Sequence, residues 1–425
     1  MKTNKSQNLK SIPTGHKQTE LGIIPEDWKV SSIGDLCVIF GRIGFRGYTK
    51  ADIVSQGQGV LSISPSNIFD GRTNFTYGTY ITRQKYEESP EIKIFEDDIL
   101  LVKTGSTYGK IALVKNLKED ATLNPQVVVF KRLKSPAAFL AYIMQSDIVQ
   151  NQIEETIVGG AIPTLSQKVV LSYKIPLPTP REQLAIANVL SDTDALIIAI
   201  EQLIAKKQFI KTATMQQLLT GRTRLPQFSK HSDGTLKGHG SSELGAIPED
   251  WQVVPFKDVL TIKHGKNQKE VESPSGQYPI YATGGQIGNA TSFLFDKPSV
   301  LIGRKGTIDK PRYAETPFWT VDTLFYSDIK KDFCVKFIYY KFCMIDWMQY
   351  NEASGVPSLN AHTIENVLVT LPNLEEQTAI ASILSDMDDE LKALEQKLAK
   401  IRDLKQGMMQ QLLTGRIRLP LEQQS

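Results

Sequence analysis

Two long stretches with helical periodicity dominate the hydrophobic pattern of the chain. In the second stretch, apolar residues recur every three or four positions from Ile380 to Leu412, which is close to the heptad spacing of packed helices. The first stretch, from Ile186 to Leu218, follows the same pattern more loosely. Neither Pro nor Gly occurs between Gln183 and Leu219 or between Gln377 and Gln406, and good helix formers dominate both. The pattern predicts two helices of about 40 residues, each on the order of 55 Å long.

The two stretches are copies of one another. The segment QQLLTGRTRLP at 216–226 returns as QQLLTGRIRLP at 410–420, an offset of 194 positions. At this offset, 26 of the 45 positions from Glu182 to Pro226 are identical to their counterparts. Gly221 and Gly415 follow the last helical turns as stop signals. The chain is therefore an internal duplication, in which both copies keep the same helix.

Each helix alone would expose an apolar stripe. The simplest arrangement packs the two copies against each other as an antiparallel coiled coil. The alternative is that each helix packs only on its own domain.

A second motif is also duplicated. ELGIIPEDWKV at 20–30 returns as ELGAIPEDWQV at 243–253, here with an offset of 223. The insert between this motif, which we call the PEDW motif, and the following helix is thus 29 residues longer in the first copy than in the second. The two inserts share little sequence. A constant frame with divergent inserts indicates a common scaffold that carries two domains with separate tasks.

Changes in composition along the chain predict the domain boundaries. The polar start of the chain predicts a mobile tail, and the Gly- and Ser-rich segment between the copies predicts a flexible linker. The predicted order is a tail at 1–19, a first domain at 20–180, a first long helix at 181–225, a linker at 226–242, a second domain at 243–374 and a second long helix at 375–420.

Both inserts are predicted to mix strands with a late helix. Short β-branched runs bounded by turn residues mark strands at 60–63, 99–102, 111–114, 127–130, 299–302 and 324–326. Helices are predicted within 137–152 and 336–350. The segment 99–105 also aligns with 300–306, so that in each domain a strand leads into a basic loop containing glycine. The fold class is α+β, with two mixed α/β domains and two long helices.

Composition and charge indicate the cellular location of the protein but do not identify its function. A length of 425 residues with 41% hydrophobic content accommodates more than one ordinary core, and the net charge is only +3. No uninterrupted apolar run approaches the roughly 18 residues needed to span a bilayer, and the N-terminus does not resemble a secretory signal. The three cysteines form no obvious framework. These features favour a cytoplasmic protein that is not bound to a membrane.

The sequence contains no convincing catalytic motif. GSTYGKI at 105–111 is one residue short of the P-loop spacing, and GRIG at 41–44 is too short for a dinucleotide fingerprint. Asn124-Pro125-Gln126-Val127 lacks the second Pro and the aromatic residue of an amino-methyltransferase motif. The pair Glu91 and Lys93 resembles one corner of a nuclease site, but an isolated match is usually surface charge. The five histidines lack metal-ligand spacing. We therefore predict no catalytic residue, no metal and no cofactor.

Basic, amide and aromatic residues interleaved with glycine are the strongest functional signal. They occur in GRIGFRGYTK at 41–50 and KTGSTYGK at 103–110, and again in KHGKNQK at 263–269, YATGGQIGN at 281–289 and GRKGT at 303–307. Lys and Arg neutralise phosphates, whereas Arg, Asn and Gln can form paired hydrogen bonds with base edges. Taken singly, each segment is most simply an ordinary solvated turn. Their recurrence at matching positions in both inserts favours contact with DNA.

The duplicated PEDW motif, the REQ- and EEQ-led helices and the QQLLTGR endings resemble the specificity subunit of a type I restriction-modification enzyme. The resemblance covers nearly the whole chain. It implies two target recognition domains, each reading one half of a two-part site in double-stranded DNA, and an antiparallel coiled coil that sets their separation. It further implies a non-catalytic chain with two modification subunits, which methylate adenine, and with restriction subunits, which translocate DNA and cleave it using ATP. Unequal insert lengths suggest half-sites of different sequence.

The DNA-binding residues are a hypothesis drawn from the basic loops, because the recognition domains of this family vary too much for residues to be transferred. The candidates in the first domain are Arg42, Arg46, Tyr48, Lys103, Thr104 and Lys110, and those in the second are Lys266, Asn267, Arg304 and Lys305.

Two other classes of protein remain open. A coiled-coil scaffold without a DNA role would explain the helices but not the paired basic loops. A fused nuclease or methyltransferase with an unrecognised site is the weaker alternative.

Overall fold

The structure is a computed structural model that describes residues 12–42, 44–156 and 164–420. The chain forms two compact units. Unit 1 comprises Met1–Ile200 and Leu398–Ser425, and unit 2 comprises Glu201–Lys397. Each unit contains one of the two predicted domains together with parts of both long helices.

Among the described residues, the first domain contains a six-stranded sheet, a four-stranded sheet, two two-stranded sheets and five short α-helices. Its strands are β1 (His16–Thr19), β2 (Gly22–Pro25), β3 (Lys29–Ser32), β4 (Val38–Gly41), β5 (Ile53–Val54), β6 (Val60–Ile63), β7 (Ile68–Phe69), β8 (Arg72–Thr73), β9 (Thr79–Ile81), β10 (Ile99–Val102), β11 (Ile111–Leu113), β12 (Ala121–Leu123), β13 (Val127–Lys131) and β14 (Lys174–Leu177). Its helices are α1 (Ile33–Leu36), α2 (Arg83–Glu87), α3 (Ala137–Gln145), α4 (Asp147–Thr156) and α5 (Gln167–Ser172), and the long helix α6 (Pro180–Leu219) follows.

The second domain has fewer strands. They are β15 (His239–Ser242), β16 (Gly245–Pro248), β17 (Gln252–Pro255), β18 (Leu260–His264), β19 (Tyr278–Ala282), β20 (Gly285–Ala290), β21 (Ser299–Gly303), β22 (Arg312–Ala314), β23 (Trp319–Thr320), β24 (Leu324–Ile329) and β25 (Leu368–Leu371). Its helices are α7 (Val335–Met344) and α8 (Ala361–Asn366), and the long helix α9 (Leu374–Leu412) follows.

The two domains share one topology despite their divergent sequences. The main sheet of the first has the order β4-β13-β10-β11-β8-β7, and that of the second has the order β18-β24-β21-β22. In the smaller sheets, β12 pairs in parallel with β6 as β23 does with β19, while β9 and β20 are their antiparallel neighbours. The hairpin β7-β8 extends the main sheet of the first domain and accounts for part of its longer insert.

Two predicted boundaries are wrong. The tail does not extend to residue 19, because β1 pairs with β2 through partners such as Lys17 and Ile24. Likewise the linker does not extend to residue 242, because β15 pairs with β16 in the same way. A polar strand with little periodicity gave no sequence signal. Residues 1–11 of the predicted tail lie outside the described residues.

Both long helices begin within one residue of the predicted start, but α6 ends at Leu219 and α9 at Leu412, short of the predicted ends at 225 and 420. Within unit 1, the early part of α6 lies beside the late part of α9, and Lys405 Nζ is 2.7 Å from Asp194 Oδ1. Within unit 2, Lys207 of α6 pairs with Glu390 of α9 at 2.7 Å. The packing is therefore antiparallel within each unit. By length and composition α6 could cross a bilayer, with a window of mean hydropathy 1.4, but a third of that window is buried and its ends join the two domain cores.

A duplicated ion-pair cluster ties the PEDW motif to the helix ends. In unit 2, the Arg224 guanidinium donates to Glu376 at 2.7 Å and to Asp250 at 2.8 and 3.1 Å, and Trp251 Nε1 donates to Glu376 at 3.3 Å. The end of α6 thus binds the PEDW motif of the second copy and the start of α9.

The same cluster recurs in unit 1. Arg418 donates to Asp27 at 2.8 and 2.9 Å and to Glu182 at 2.8 Å, and Trp28 Nε1 donates to Glu182 at 2.9 Å. The segment that follows α9 therefore binds the first PEDW motif and the start of α6.

Glycine is needed where these motifs meet. Gly221 has a φ of +72°, and a Cβ atom there would lie 2.4 Å from Pro248. Gly415 has a φ of +71°, and its Cβ would lie 2.4 Å from Pro25. The TGR and PEDW motifs recur together because each glycine admits the proline of the facing motif and each arginine holds its acidic residues.

A second duplicated cluster joins each domain to the helix pair. Tyr142 donates to Asp194 at 2.7 Å, and Lys405 lies 5.3 Å from the Tyr142 ring centre. Tyr340 likewise donates to Asp388 at 2.7 Å, with an ion pair between Asp388 and Lys211. Burial is the main cause that raises the pKa of both tyrosines, so they remain protonated donors. The domains are thereby held on the helices by matched contacts.

Candidate nucleic-acid interface

Three basic, Gly-rich loops of the second domain converge on one turn. This turn, which we call turn B, comprises Val321–Leu324 and leads into β24; its closing hydrogen bond runs from Leu324 N to Val321 O at 3.0 Å. The backbone of Arg304 donates to Thr323 O at 2.8 Å on one side, and that of Lys266 donates to Thr320 O at 2.8 Å on the other. Val321 N donates to Tyr281 O at 3.0 Å. Segments 263–269, 281–289 and 303–307 therefore meet at one end of the domain.

The first domain repeats this arrangement around an equivalent turn. Turn A comprises Asn124–Val127, leads into β13 and is closed by a bond from Val127 N to Asn124 O at 3.2 Å. Lys103 N donates to Gln126 O at 2.8 Å, as Arg304 does to Thr323. The Arg42 side chain donates to Leu123 O at 2.8 Å. The loops 41–50 and 103–110 thus flank turn A.

A matching anchor holds the strand-loop segment in each domain. Leu165 N donates to Lys103 O at 2.8 Å, and Leu359 N donates to Arg304 O at 3.0 Å. These residues belong to the similar segments 163–165 and 357–359, of which residue 163 lies outside the described residues. The divergent loops are consequently displayed on the same backbone frame.

Arg42 is the one candidate that the structure places in the interior. It is 5% exposed, and its guanidinium donates to Leu123 O, to Thr122 Oγ1 and to Arg46 O. Each of its three guanidinium nitrogens donates within the protein. Arg42 therefore positions the loop 41–50 and turn A, and its prediction as a base-reading side chain is corrected. Sequence does not distinguish a buried arginine that bonds within the protein from one that faces DNA.

The other candidates of the first domain lie at or near the surface. Arg46 is partly exposed and pairs with Glu91 at 3.3 Å, and the Tyr48 hydroxyl accepts from Ser62 at 3.2 Å. Lys103 and Thr104 are partly buried beside turn A, and Lys110 is exposed. Among the described residues, no hydrogen bond joins Lys110 to turn A. It lines a cleft of about 860 Å³ with Arg72 and with residues of α4, α6 and α9.

The candidates of the second domain surround turn B more closely. Lys266, Asn267 and Lys305 are exposed, and Arg304 donates from its side chain to Asp322 O at 3.4 Å. The Lys266 carbonyl accepts from Trp319 Nε1 at 2.9 Å, which holds the loop close to the turn. Gly265 permits this approach, because a Cβ there would lie 1.9 Å from Val321 O. All four side chains are therefore grouped at the same end of the domain.

The isolated catalytic signals do not come together in space. Glu91 pairs with Arg46, whereas Lys93 pairs with Glu87. Among residues 12–42, 44–156 and 164–420, no group of three or more His, Cys, Asp or Glu could hold a metal ion. Burial raises the pKa of the Cys37 thiol to about 12, which disfavours the reactive thiolate.

Sequence reasoning missed two kinds of residue. The arginine clusters at Arg224 and Arg418 lie inside motifs that the duplication revealed, but their partners are far away in sequence. The turns A and B were missed because only their hydrogen bonds to the basic loops show where they lie.

The comparisons agree with the duplicated architecture. The sequence model of the family "Type I restriction modification DNA specificity domain" matches residues 25–211 and 248–403. The chain is 26% identical over 432 residues to the "Type I restriction enzyme MjaVIII specificity subunit" of Methanocaldococcus jannaschii, covering 93% of this chain and 94% of the relative. It is 22% identical over 179 residues to the EcoDI specificity subunit of Escherichia coli, covering 40% of this chain and 38% of that protein.

Its fold also resembles a crystal structure of the S subunit of a type I restriction-modification system from M. genitalium. The TM-score is 0.61 at 18% identity, with 93% of this chain and 97% of that chain covered. Since the family match takes in most of the sequence and both copies of the duplication, the chain belongs to the type I restriction-modification DNA specificity family and is a specificity subunit of such a system.

Proposed function

We propose that residues 20–180 and 243–374 are two target recognition domains, each of which reads one half of a two-part site in double-stranded DNA. The observation that carries this proposal is the convergence of divergent basic loops on an equivalent turn in both domains. A shared backbone frame with different side chains is what two readers of different sequences require. Phosphates would be neutralised by lysines such as Lys266 and Lys305, while a few side chains contact base edges.

The chain itself is non-catalytic in this proposal. Two modification subunits methylate one adenine in each half-site, and restriction subunits translocate and cleave the DNA, all in the cytoplasm. Support comes from the membership in a family of specificity subunits and from the scattered positions of the few catalytic signals among the described residues. The chain needs no cofactor of its own for this role.

A selection from random-sequence DNA tests the proposal. The chain, purified in complex with its cognate modification subunit, is expected to enrich a motif of two short half-sites separated by a gap of fixed length. Enrichment of a single undivided motif would contradict the two-domain division. Enrichment of no motif by a folded complex would favour the scaffold function instead.

The helix pair is proposed to set the gap between the half-sites. Inserting seven residues in register into both α6 and α9 would lengthen the pair by about 10 Å, roughly three base pairs, while keeping the heptad pattern. The selected gap should lengthen and the half-site bases should stay the same. A length-neutral replacement of seven residues at the same positions is the control. Altered half-site bases with an unchanged gap would refute this role of the helices.

The outer face of α6 is proposed to bind a modification subunit. In unit 2, Phe209 is 75% exposed and Leu203 is 39% exposed, although both lie in the middle of a long helix. At the duplication offset of 194, their counterparts are Asp403 and Lys397. An exposed phenylalanine on one copy alone indicates a contact that the other copy does not make in the same way.

A further inference from the structure

The tips of turns A and B are exposed between the basic loops that flank them. Pro125 and Gln126 form the tip of turn A, and Asp322 and Thr323 form the tip of turn B. Gln126 and Asp322 are both exposed. Neither residue belongs to the basic segments that the sequence singles out. By the matching backbone bonds from Lys103 and Arg304, Gln126 corresponds to Thr323 and Pro125 to Asp322, so the two polar side chains occupy adjacent positions on equivalent turns.

The amide of Gln126 is held by its neighbours. Its backbone nitrogen donates to Asn124 Oδ1 at 2.6 Å, and Asn124 Nδ2 lies 3.4 Å from Gln126 Oε1. The side chain also passes close to Gly105, where an added Cβ would lie 3.3 Å from Gln126 Nε2. An exposed glutamine amide has the donor and acceptor that pair with N7 and N6 of adenine in the major groove.

Asp322 is a carboxylate in an otherwise basic surface. Lys266, Arg304 and Lys305 surround turn B, and Arg304 binds the Asp322 backbone carbonyl rather than its carboxylate. Within the described residues, no hydrogen bond or ion pair involves the Asp322 side chain. A carboxylate repels phosphate groups, so its presence at the tip weakens simple backbone binding. It suits instead an amino group on a base edge, and aspartate accepts from N4 of cytosine.

Given the proposed function, we infer that turns A and B insert into the major groove and that their tips determine specificity. Gln126 reads an adenine in the first half-site, and Asp322 reads a cytosine in the second. The flanking lysines and arginines bind the phosphates on either side of each tip. The side chain at the tip is thus a base-reading residue, whereas the buried Arg42 is a positioning residue for turn A.

Selection from random-sequence DNA with the complete complex tests this inference. Gln126→Glu replaces the amide donor by a carboxylate with little change of shape, and Asp322→Asn replaces the carboxylate by an amide; the added or removed charge alters affinity for all sequences alike, whereas the selected base reports on readout. Each variant should change or relax one base of one half-site, with a preference change on the order of 5- to 100-fold in competition binding. The other half-site and the gap should be unaffected.

Asp332→Asn is the matched control for the charge of Asp322. Asp332 is also exposed but follows the far end of β24, roughly 20 Å along the strand from turn B. This control should select the same motif as the unmodified chain. A change of base confined to one half-site cannot arise from general loss of folding.

Two results would count against different parts of the reasoning. If the unmodified complex selects a two-part motif and both variants select the same bases with unchanged preference, the turns do not read sequence, while the proposed function stands. If the unmodified complex selects no two-part motif, the proposed function itself fails.

Discussion

Replacing Arg224 by methionine tests how the scaffold is held together. The Arg224 side chain is 8% exposed and the Glu376 side chain only 1% exposed, so their 2.7 Å pair is shielded from water. Methionine keeps much of the length and packing of arginine but cannot donate. After the substitution, Glu376 would lose the guanidinium donors and keep the indole nitrogen of Trp251, which donates to it at 3.3 Å.

The expected loss follows from the burial of the carboxylate. Removing one partner of a buried ion pair costs about 3–5 kcal/mol, because the remaining charge is neither solvated nor paired. Arg418→Met makes the equivalent change in unit 1 and leaves Glu182, whose side chain is only 2% exposed, but the Arg418 side chain that is removed is itself 41% exposed. Water can reach that position, so its loss should be smaller, about 1–3 kcal/mol. The duplication therefore supplies a matched comparison within one chain.

The variant should also respond differently to acid. Burial alone would raise the pKa of the Asp250 carboxyl, but hydrogen bonds from Arg224 and Lys237 lower it to about 2. Because this pKa lies below the ordinary value of 3.8, the stabilisation is present above about pH 4 and is lost as the pH falls towards 2. Without Arg224, stability should fall less steeply over that range.

Hydrogen exchange in increasing urea measures both effects separately for each unit. Peptides covering β16 and β17 report on unit 2, and those covering β2 and β3 report on unit 1. Arg224→Met should lower the free energy of unfolding of the unit 2 peptides. A loss below about 0.5 kcal/mol, or one no larger than that of Arg418→Met, would refute the role of the buried pair.

Three further changes have defined outcomes. Gly221→Ala should destabilise unit 2 by about 1–3 kcal/mol in the same assay, because it combines a left-handed φ with a clash against Pro248; an unchanged midpoint would contradict this. Burial lowers the pKa of Lys341 to about 7, so unfolding free energy should rise as the pH increases from 7 towards 10, and Lys341→Met should abolish that rise relative to the unmodified chain; parallel pH profiles would contradict it. Phe209→Asp should weaken assembly with the modification subunit by about tenfold or more in titration binding, whereas Asp403→Ala, its counterpart by the duplication, should not; equal affinity for both variants would exclude Phe209 from the interface.

The parts of the fold that depend on residues close together in sequence were predicted well. The periodic helices, the stop glycines and strands such as β6 and β10 were predicted at nearly the observed positions, because burial imposes a period that sequence displays directly. The hairpins β1-β2 and β15-β16 were missed because their first strands are polar and partly exposed. Their pairing is set by the turn that joins them rather than by an apolar face.

The candidate interface was predicted less completely. Basic loops stand out by composition, so their segments were found, but composition does not distinguish a side chain that faces solvent from one folded inward. Arg42 shows this, since its donors are satisfied by Thr122 and Leu123, which are about 80 residues away in sequence. Turn A contains no unusual residue, and its position between the loops follows only from long-range hydrogen bonds.

The division of the site between the two domains can be tested by mapping N6-methyladenine across the DNA of cells that express this chain with its cognate modification subunit. Methylation is expected at one two-part motif with a fixed gap, and nowhere when this chain is omitted. Methylation that is unchanged without this chain, or that falls on an undivided motif, would contradict the claim that its two domains read the two halves of the site.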